Sequence, residues 1–435
     1  MVRFHEGGMS LPHSITEKHR LALPAATGLS LLVGFFFSFR LFIMLLSVRL
    51  LGTDAQAGVE ISLALNFFLS ILVAFQTFGA ADPKRDSMLR LPSVRWVFIF
   101  LGFSCLSLLW SATASMSAAI VYWCAMAADV GMVVFLLRMG PVEEVVTGLM
   151  KGYVVGACVI AVIAWLLPAQ SDLRLGDEEL LGPNQIGYLC AFALFFVQYL
   201  MREKLGKWGV EAFLLAVTLL RSLSKTSIIA FLLAESFLLL RDRSIRPRTK
   251  VMLVLAGIAT VAAFANLLIS YFDIYANAGS SPETLTGRIG IWTVILREAI
   301  QQPWIGHGFH AVWNVIPPFG DFEARHAHNE LIQQFYAYGL VGIAMLCALY
   351  GGFYRQIRRL SDPSMRAFWF SLLLFVIVRG LTDTEPFDLS LPLWALVMIS
   401  VLMAEVRASS SKESGHNLTE SVPMAAPPQA VPTNP

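Results

Sequence analysis

Charge is what this chain has least of. Only 14% of its residues are Asp, Glu, Lys or Arg against 56% hydrophobic, and the mean hydropathy is +0.65. So few charges cannot cover a water-soluble globule of 435 residues, and the expected fold class is all-α, a polytopic helical membrane protein. Alternation is missing too. A membrane β-barrel needs segments of roughly 10 residues alternating apolar and polar, whereas these apolar runs are continuous and about 17 to 25 residues long. The five cysteines, Cys105, Cys124, Cys158, Cys190 and Cys347, lie inside apolar runs without paired spacing, which excludes a disulfide framework and a cysteine metal site. The first apolar run follows Lys18 and Arg20 and lacks a small-residue cleavage site, so it reads as a retained anchor. No repeat of fixed period, no soluble domain and no nucleic-acid partner are indicated.

What is present is a series of apolar runs near 22–39, 57–80, 94–112, 116–137, 145–167, 184–201, 207–221, 224–240, 250–271, 330–354, 366–381 and 388–405, giving about twelve expected spans. The stretch 41–51, interrupted by Arg40 and Arg49, is too short to span alone and either extends the first helix or lies at the interface. With a cytoplasmic N-terminus, 23 of the 32 basic residues fall on the inside. The rest, Arg40, Arg49, Arg174, Arg221, Lys225, Arg288, Arg297, Arg325 and Arg379, fall outside. The organisation expected is therefore a cytoplasmic segment 1–21, one transmembrane domain 22–405 with a periplasmic loop 272–329, and a cytoplasmic tail 406–435 too rich in Ser, Pro, Asn and Ala to fold. Asp177, Glu178 and Glu179 would belong to a solvated outer loop.

The chemistry-bearing residues gather between Thr286 and Gly342. Thr286 is placed to cap a helix whose Ile289, Trp292, Leu296 and Ala299 form an apolar stripe, suited to lying on the membrane surface with Trp292 at headgroup level. Arg288 falls in its first turn, and Arg221 and Lys225 flank an outer hairpin. Outer basic residues run against the positive-inside bias. They either snorkel to headgroups or bind an anionic ligand, guanidiniums matching phosphate oxygens. His328 opens the tenth run, where Asn329, Gln333 and Tyr336 form a polar stripe of the kind that faces a wet cavity. A histidine there can take a proton from a hydroxyl, or simply sit satisfied at the interface. His307, His310, His326 and His328 raise the question of a metal, but no carboxylate or cysteine is convincingly grouped with them, so no metal and no cofactor is expected. Asp383, Glu385 and Asp388 could orient a sugar or the base, and Asn184 could neighbour the cavity.

Several of these pieces resemble the O-antigen ligase and Wzy-type polymerase family of bacterial envelopes (Wzy_C-like). They are Gly287-Arg288 with Ile291-Trp292, the run Pro303-Trp304-Ile305-Gly306-His307-Gly308-Phe309, the run His326-Ala327-His328-Asn329-Glu330, and Gly339-Leu340-Val341-Gly342. Ser224-Lys225-Thr226 is similar to a family Ser-Arg pair, with Lys225 standing where the family usually has Arg. Leu181-Gly182-Pro183-Asn184-Gln185 is a weaker match. The aromatic, glycine-rich run is most similar to polymerases of exopolysaccharide of the succinoglycan type.

The resemblance implies a metal-independent, inverting glycosyltransferase using an undecaprenyl-diphosphate-linked glycan at the periplasmic face of the inner membrane. It implies that Arg288 and Lys225, or Arg221 one helical turn earlier, hold the donor diphosphate and that His328 activates the acceptor hydroxyl. His326, Asn329, Gln333, Asn184 and Glu385 would contact glycan or cavity. The acceptor would be a growing glycan in a polymerase or lipid A-core in a ligase, with membrane lipids, a chain-length regulator and a flippase as partners. A transporter or flippase is the competing class, which the lack of an inverted repeat and the outer position of the polar residues disfavour.

Overall fold

The computed structural model describes residues 13–77, 88–168, 170, 173–177, 180–267, 269–271, 285–315, 326–385 and 387–420. The acidic pair Glu178 and Glu179, the loop segments 272–284 and 316–325, and the tail beyond 420 lie outside these. Among the described residues the chain is helical, with a lone β-bridge between Asp177 and Leu181. A helix stands at every one of the twelve predicted places. In order they are α1 (His13–Leu51), α2 (Ala55–Thr77), α3 (Pro92–Ser107), α4 (Met116–Met139), α5 (Val142–Leu166), α6 (Pro183–Arg202), α7 (Gly209–Arg221), α8 (Lys225–Arg241) and α9 (Pro247–Ala263). The loop helix α10 (Leu285–Ala299) follows, then α11 (Glu330–Arg358), α12 (Pro363–Gly380) and α13 (Leu393–Glu420). Proline at the first turn of α3, α6, α9 and α12 presets φ where no intrahelical N–H bond is lost.

A helix and a span judged by length and composition are not equivalent. Among the described residues eight helices are long and apolar enough to cross a membrane, or nine if α9 and the segment Ala265–Tyr271, bent by 56°, form one span. The 13 residues of α7 reach about 20 Å against a hydrocarbon core of about 30 Å, and α8 has 17, yet α8 runs alongside the whole of α6, Ser224 meeting Asn184 at one end and Asp242 meeting Arg202 at the other. The chain is a multi-pass membrane protein all the same. The first span also shifts, to Thr27–Leu51, so that 41–51 does extend the first helix. Arg40, expected outside, therefore sits within that span. Its guanidinium meets Asp129 of α4, whose other oxygen accepts from Asn66 Nδ2 of α2 at 2.6 Å, so a buried polar cluster ties three helices together. At the far end, α13 continues as helix to Glu420, past the start of the tail expected to be unfolded at 406.

Close helix contact is set by small residues. Gly148, Gly152 and Gly156 recur every four residues along α5, and a Cβ on any of them would collide with Ser30, Leu31 or Ser38 of α1. This spacing lets the two backbones approach as membrane helices prefer. α6 is the most enclosed long helix, its Phe192, Phe195 and Phe196 buried against Tyr153 of α5 and Phe368 and Phe375 of α12. That enclosure fixes the end of α6 that leads into the site.

The loop helix differs from its expected orientation. It begins at Leu285, one residue before the expected cap Thr286. Its buried face is Arg288, Ile291, Ile295 and Ala299, packed with Ala327 and Tyr336, while Ile289 and Leu296 are exposed. Trp292 is turned inward as well, its Nε1 donating to the Ala327 carbonyl at 2.8 Å rather than to headgroups.

Candidate active site

The site is built where α11 begins and where α11 is broken. Asn329 caps α11 by accepting from the Ile332 N–H at 3.1 Å. Ten residues on, Gly339 adopts φ 61 and ψ −154, a conformation only glycine takes without strain. The break frees carbonyls, and the run 303–308 takes them. His307 N donates to Tyr336 O at 2.9 Å and Gly308 N to Ala337 O at 2.8 Å, while Leu340 N donates to Pro303 O at 2.7 Å and Val341 N to Trp304 O at 3.1 Å. Gly306, at φ 63, lies so close that a Cβ would meet the main chain of Tyr336 to Tyr338 at 2.5 Å. The two glycine-containing motifs thus mate with each other and clamp the loop onto the helix that carries His328.

His328 takes φ 48, its N–H donating to His326 Nδ1 at 3.3 Å. Its own Nδ1 lies 3.2 Å from Asp383 Oδ1. Asp383 also faces Arg379, with Nη2 3.5 Å from Oδ2, and the same nitrogen donates to Glu385 Oε1 at 2.8 Å. Arg379 is 2% exposed, its guanidinium 3.9 Å from the centre of the Tyr188 ring, and two of its nitrogens, Nε and Nη1, have no hydrogen-bond partner among the described residues. Arg288, 7% exposed, reaches the same turn by donating to the Thr382 carbonyl, and its Nε is buried with no partner among the described residues. Two buried guanidiniums with orphaned donors represent a cost that an anion entering the site would relieve.

Charge states follow from these contacts. Burial raises the Asp383 pKa, but the Arg379 guanidinium and the hydrogen bond from His328 outweigh it and hold Asp383 well below the usual carboxylate range. Loss of water around His326, with His328, Arg379 and Arg288 nearby, outweighs the pull of Asp383 and takes its pKa down to about 3. His326 is therefore a neutral ring beside the His328–Asp383 pair.

Other sequence-predicted residues are held by the chain itself. Asn329 Nδ2 donates to Leu381 O at 2.8 Å, and Gln333 bridges Glu385 O at 2.7 Å and Ala327 N at 3.0 Å. The stripe expected to face a wet cavity instead fastens the turn 381–385 that carries Asp383, while Tyr336 stacks on His307 at 4.5 Å. Asn184 accepts from Ser224 Oγ at 3.0 Å, beside the hairpin of Lys225, whose Nζ lies 2.9 Å from Tyr271 Oη. Arg221 donates to Leu173 O at 2.6 Å. The link from this hairpin to the core of the site runs through α6, with Asn184 at its start and Tyr188 one turn later under Arg379. His307 and His310 lie apart, His310 among Tyr122, Trp313 and Phe387.

Two corrections concern what sequence reading left out. The sequence reading places Arg379 by topology alone, although an arginine closing an apolar run with Asp383 and Glu385 four and six residues on is a readable signal. A carboxylate does group with the histidines, contrary to the expectation from sequence. Candidate ligand atoms of His326, His328 and Asp383 lie within 4.8 Å of one another. Both Asp383 oxygens are already engaged, and Arg379 stands beside them, a donor set that suits a proton relay better than a cation.

The fold and site define a multi-pass helical membrane protein with buried arginines and a histidine–carboxylate pair at one end of its bundle. Comparison narrows the class: residues 211–347 match the O-antigen ligase family, Wzy_C. The chain is 27% identical over 319 residues to the exopolysaccharide production protein ExoQ of Rhizobium meliloti, covering 65% of this chain and 71% of that protein. It is 29% identical over 149 residues to an O-antigen ligase of Pseudomonas aeruginosa, covering 31% of this chain and 34% of that protein. The likeness to the O-antigen ligase and Wzy-type family stands on these matches, and they support a glycan-transferring enzyme, polymerase or ligase.

Proposed function

We propose that the chain is a metal-independent, inverting glycosyltransferase of the bacterial inner membrane. It joins undecaprenyl-diphosphate-linked glycans at the periplasmic face and polymerises exopolysaccharide or O-antigen repeat units. Both termini are cytoplasmic and residues 272–329 periplasmic in this reading, as the partition of basic residues suggests. The observation that carries it is the buried Arg288, its Nε without a partner among the described residues, converging with Arg379 on the turn whose Asp383 holds His328.

The chemistry balances without a covalent intermediate. Asp383 at Nδ1 keeps His328 in the tautomer whose Nε2 is free to accept a proton. The acceptor hydroxyl gives its proton to that nitrogen and its oxygen bonds the donor's anomeric carbon as the bond to the diphosphate breaks. The departing lipid diphosphate carries the electron pair, and Arg288 with Lys225 or Arg221 stabilises its growing charge. A base of this kind contributes typically about 10²- to 10⁴-fold. The length of the likeness to the exopolysaccharide production protein favours polymerase over ligase. Deletion in the host with analysis of lipid-linked glycans tests this: single repeats accumulating support polymerisation. Finished polymer lacking its attachment to lipid A-core would make the chain a ligase, and unchanged glycans would contradict both.

A further inference from the structure

The end of the bundle away from His328 holds a second site. α8 carries Lys225 at one end and Arg241 at the other, and α12 carries Arg379 near its end and Pro363 at its start. At about 1.5 Å per residue, Pro363 and Arg379 are roughly 24 Å apart along the axis, so the two ends of α12 lie near opposite faces of a membrane. There, α8, α12 and the turn after α8 enclose a cavity of about 610 Å³ whose lining includes Leu240, Arg241, Arg243, Ser244, Arg366 and Phe370.

The acids of this lining are already committed. Asp242 is fully buried, 2.7 Å from Arg202 Nη2, and accepts from Ser244 N at 2.9 Å, Ser244 Oγ at 2.7 Å and Ser364 Oγ at 3.1 Å. Asp362 caps α12, accepting from Ser364 N and Met365 N, both at 3.0 Å. The arginines are not committed in this way. Among the described residues no ion pair takes Arg241, Arg243 or Arg366. Arg366 spends one nitrogen on the Leu360 carbonyl at 2.6 Å, and its buried Nε has no partner. The cavity also has an apolar edge, because Leu240 is 85% exposed and Phe370 half-buried on the same rim. In a membrane-spanning chain that edge meets acyl chains.

We propose that this cavity binds one anionic phospholipid of its leaflet, the phosphate held by Arg241, Arg243 and Arg366 and an acyl chain lying on Leu240 and Phe370. A soluble anion has no use for the apolar edge, and a zwitterionic lipid would bring its own cation against three guanidiniums.

The test is native mass spectrometry of the full chain, released from detergent micelles titrated with phosphatidylglycerol or phosphatidylcholine. Wild-type protein should retain one phosphatidylglycerol and hold phosphatidylcholine far more weakly. Each arginine near an anionic headgroup is worth about five-fold in affinity, so Arg243→Gln should lose about that factor and Arg243→Gln with Arg366→Gln roughly twenty-five-fold. Arg243 is exposed, so its single variant keeps the test usable if the double variant misfolds. Arg246→Gln with Arg248→Gln, exposed at the start of α9 and outside the lining, should bind as wild type. Equal retention of the two lipids, or equal losses in the α9 control, would overturn the proposal. So would inorganic phosphate stabilising the protein as well as phosphatidylglycerol does.

Discussion

Asp383 is shared between His328 and Arg379, one oxygen 3.2 Å from His328 Nδ1 and the other 3.5 Å from Arg379 Nη2. The arginine keeps the carboxylate charged, and the carboxylate keeps the histidine oriented. Asp383→Asn preserves the shape but removes the charge and weakens the choice of tautomer. Turnover is expected to fall roughly ten- to a hundredfold with donor binding nearly unchanged. Steady-state kinetics beside a donor-binding titration would decide it, and native turnover in the variant would remove Asp383 from the account.

His326 sets a dependence of stability on pH. Its pKa is lowered from 6.5 to about 3, so the unfolded chain binds a proton there at mild acidity while the folded chain does not. Stability fully present above about pH 6.5 is therefore lost as pH falls toward about 3. Between about pH 7 and about pH 5 the melting temperature of wild type should drop more than that of His326→Asn. Parallel curves for the two proteins would count against this.

Metal independence is a separate expectation, sharpened by the grouping of His326, His328 and Asp383. Chelator treatment of the purified protein should leave turnover intact. A stoichiometric metal found by elemental analysis, and lost together with activity, would recast those three residues as ligands.

Gly339→Ala probes the joint between the loop and α11. A Cβ there would lie 2.4 Å from the Trp304 main chain, on a backbone already at φ 61. A cost of roughly 1–3 kcal/mol is expected, read as a lower melting temperature with activity lost as the loop undocks. A variant as stable as wild type would show that the joint is not fixed as described.

Much of this was legible in the sequence, and the failures have physical causes. Apolar run length located every bundle helix but not every boundary: the first span runs on to Leu51, because the charge of Arg40 within it is met by Asp129 of another helix. In α10 both Ile289 with Leu296 and Ile291 with Ile295 are apolar, and periodicity could not tell a lipid-facing side from a core-facing one because both environments accept isoleucine. Arg288 and His328 stood out as polar groups in apolar company. The role of Arg379 did not, because the residues it organises are brought together only by the turn 381–385, which Asn329 and Gln333 fasten from another helix.

The division of labour between cation and base is tested most directly by measuring donor binding and turnover on the same purified variants in lipid. Arg288→Lys replaces a fork with a point charge and should weaken donor binding and slow departure of the diphosphate. His328→Ala should bind donor as wild type yet turn over roughly 10²- to 10⁴-fold more slowly, since its work is done in the transition state. His326→Ala should be milder than either. Near-native turnover in His328→Ala, or the same loss of donor binding in all three, would contradict the assignment of base and anion site.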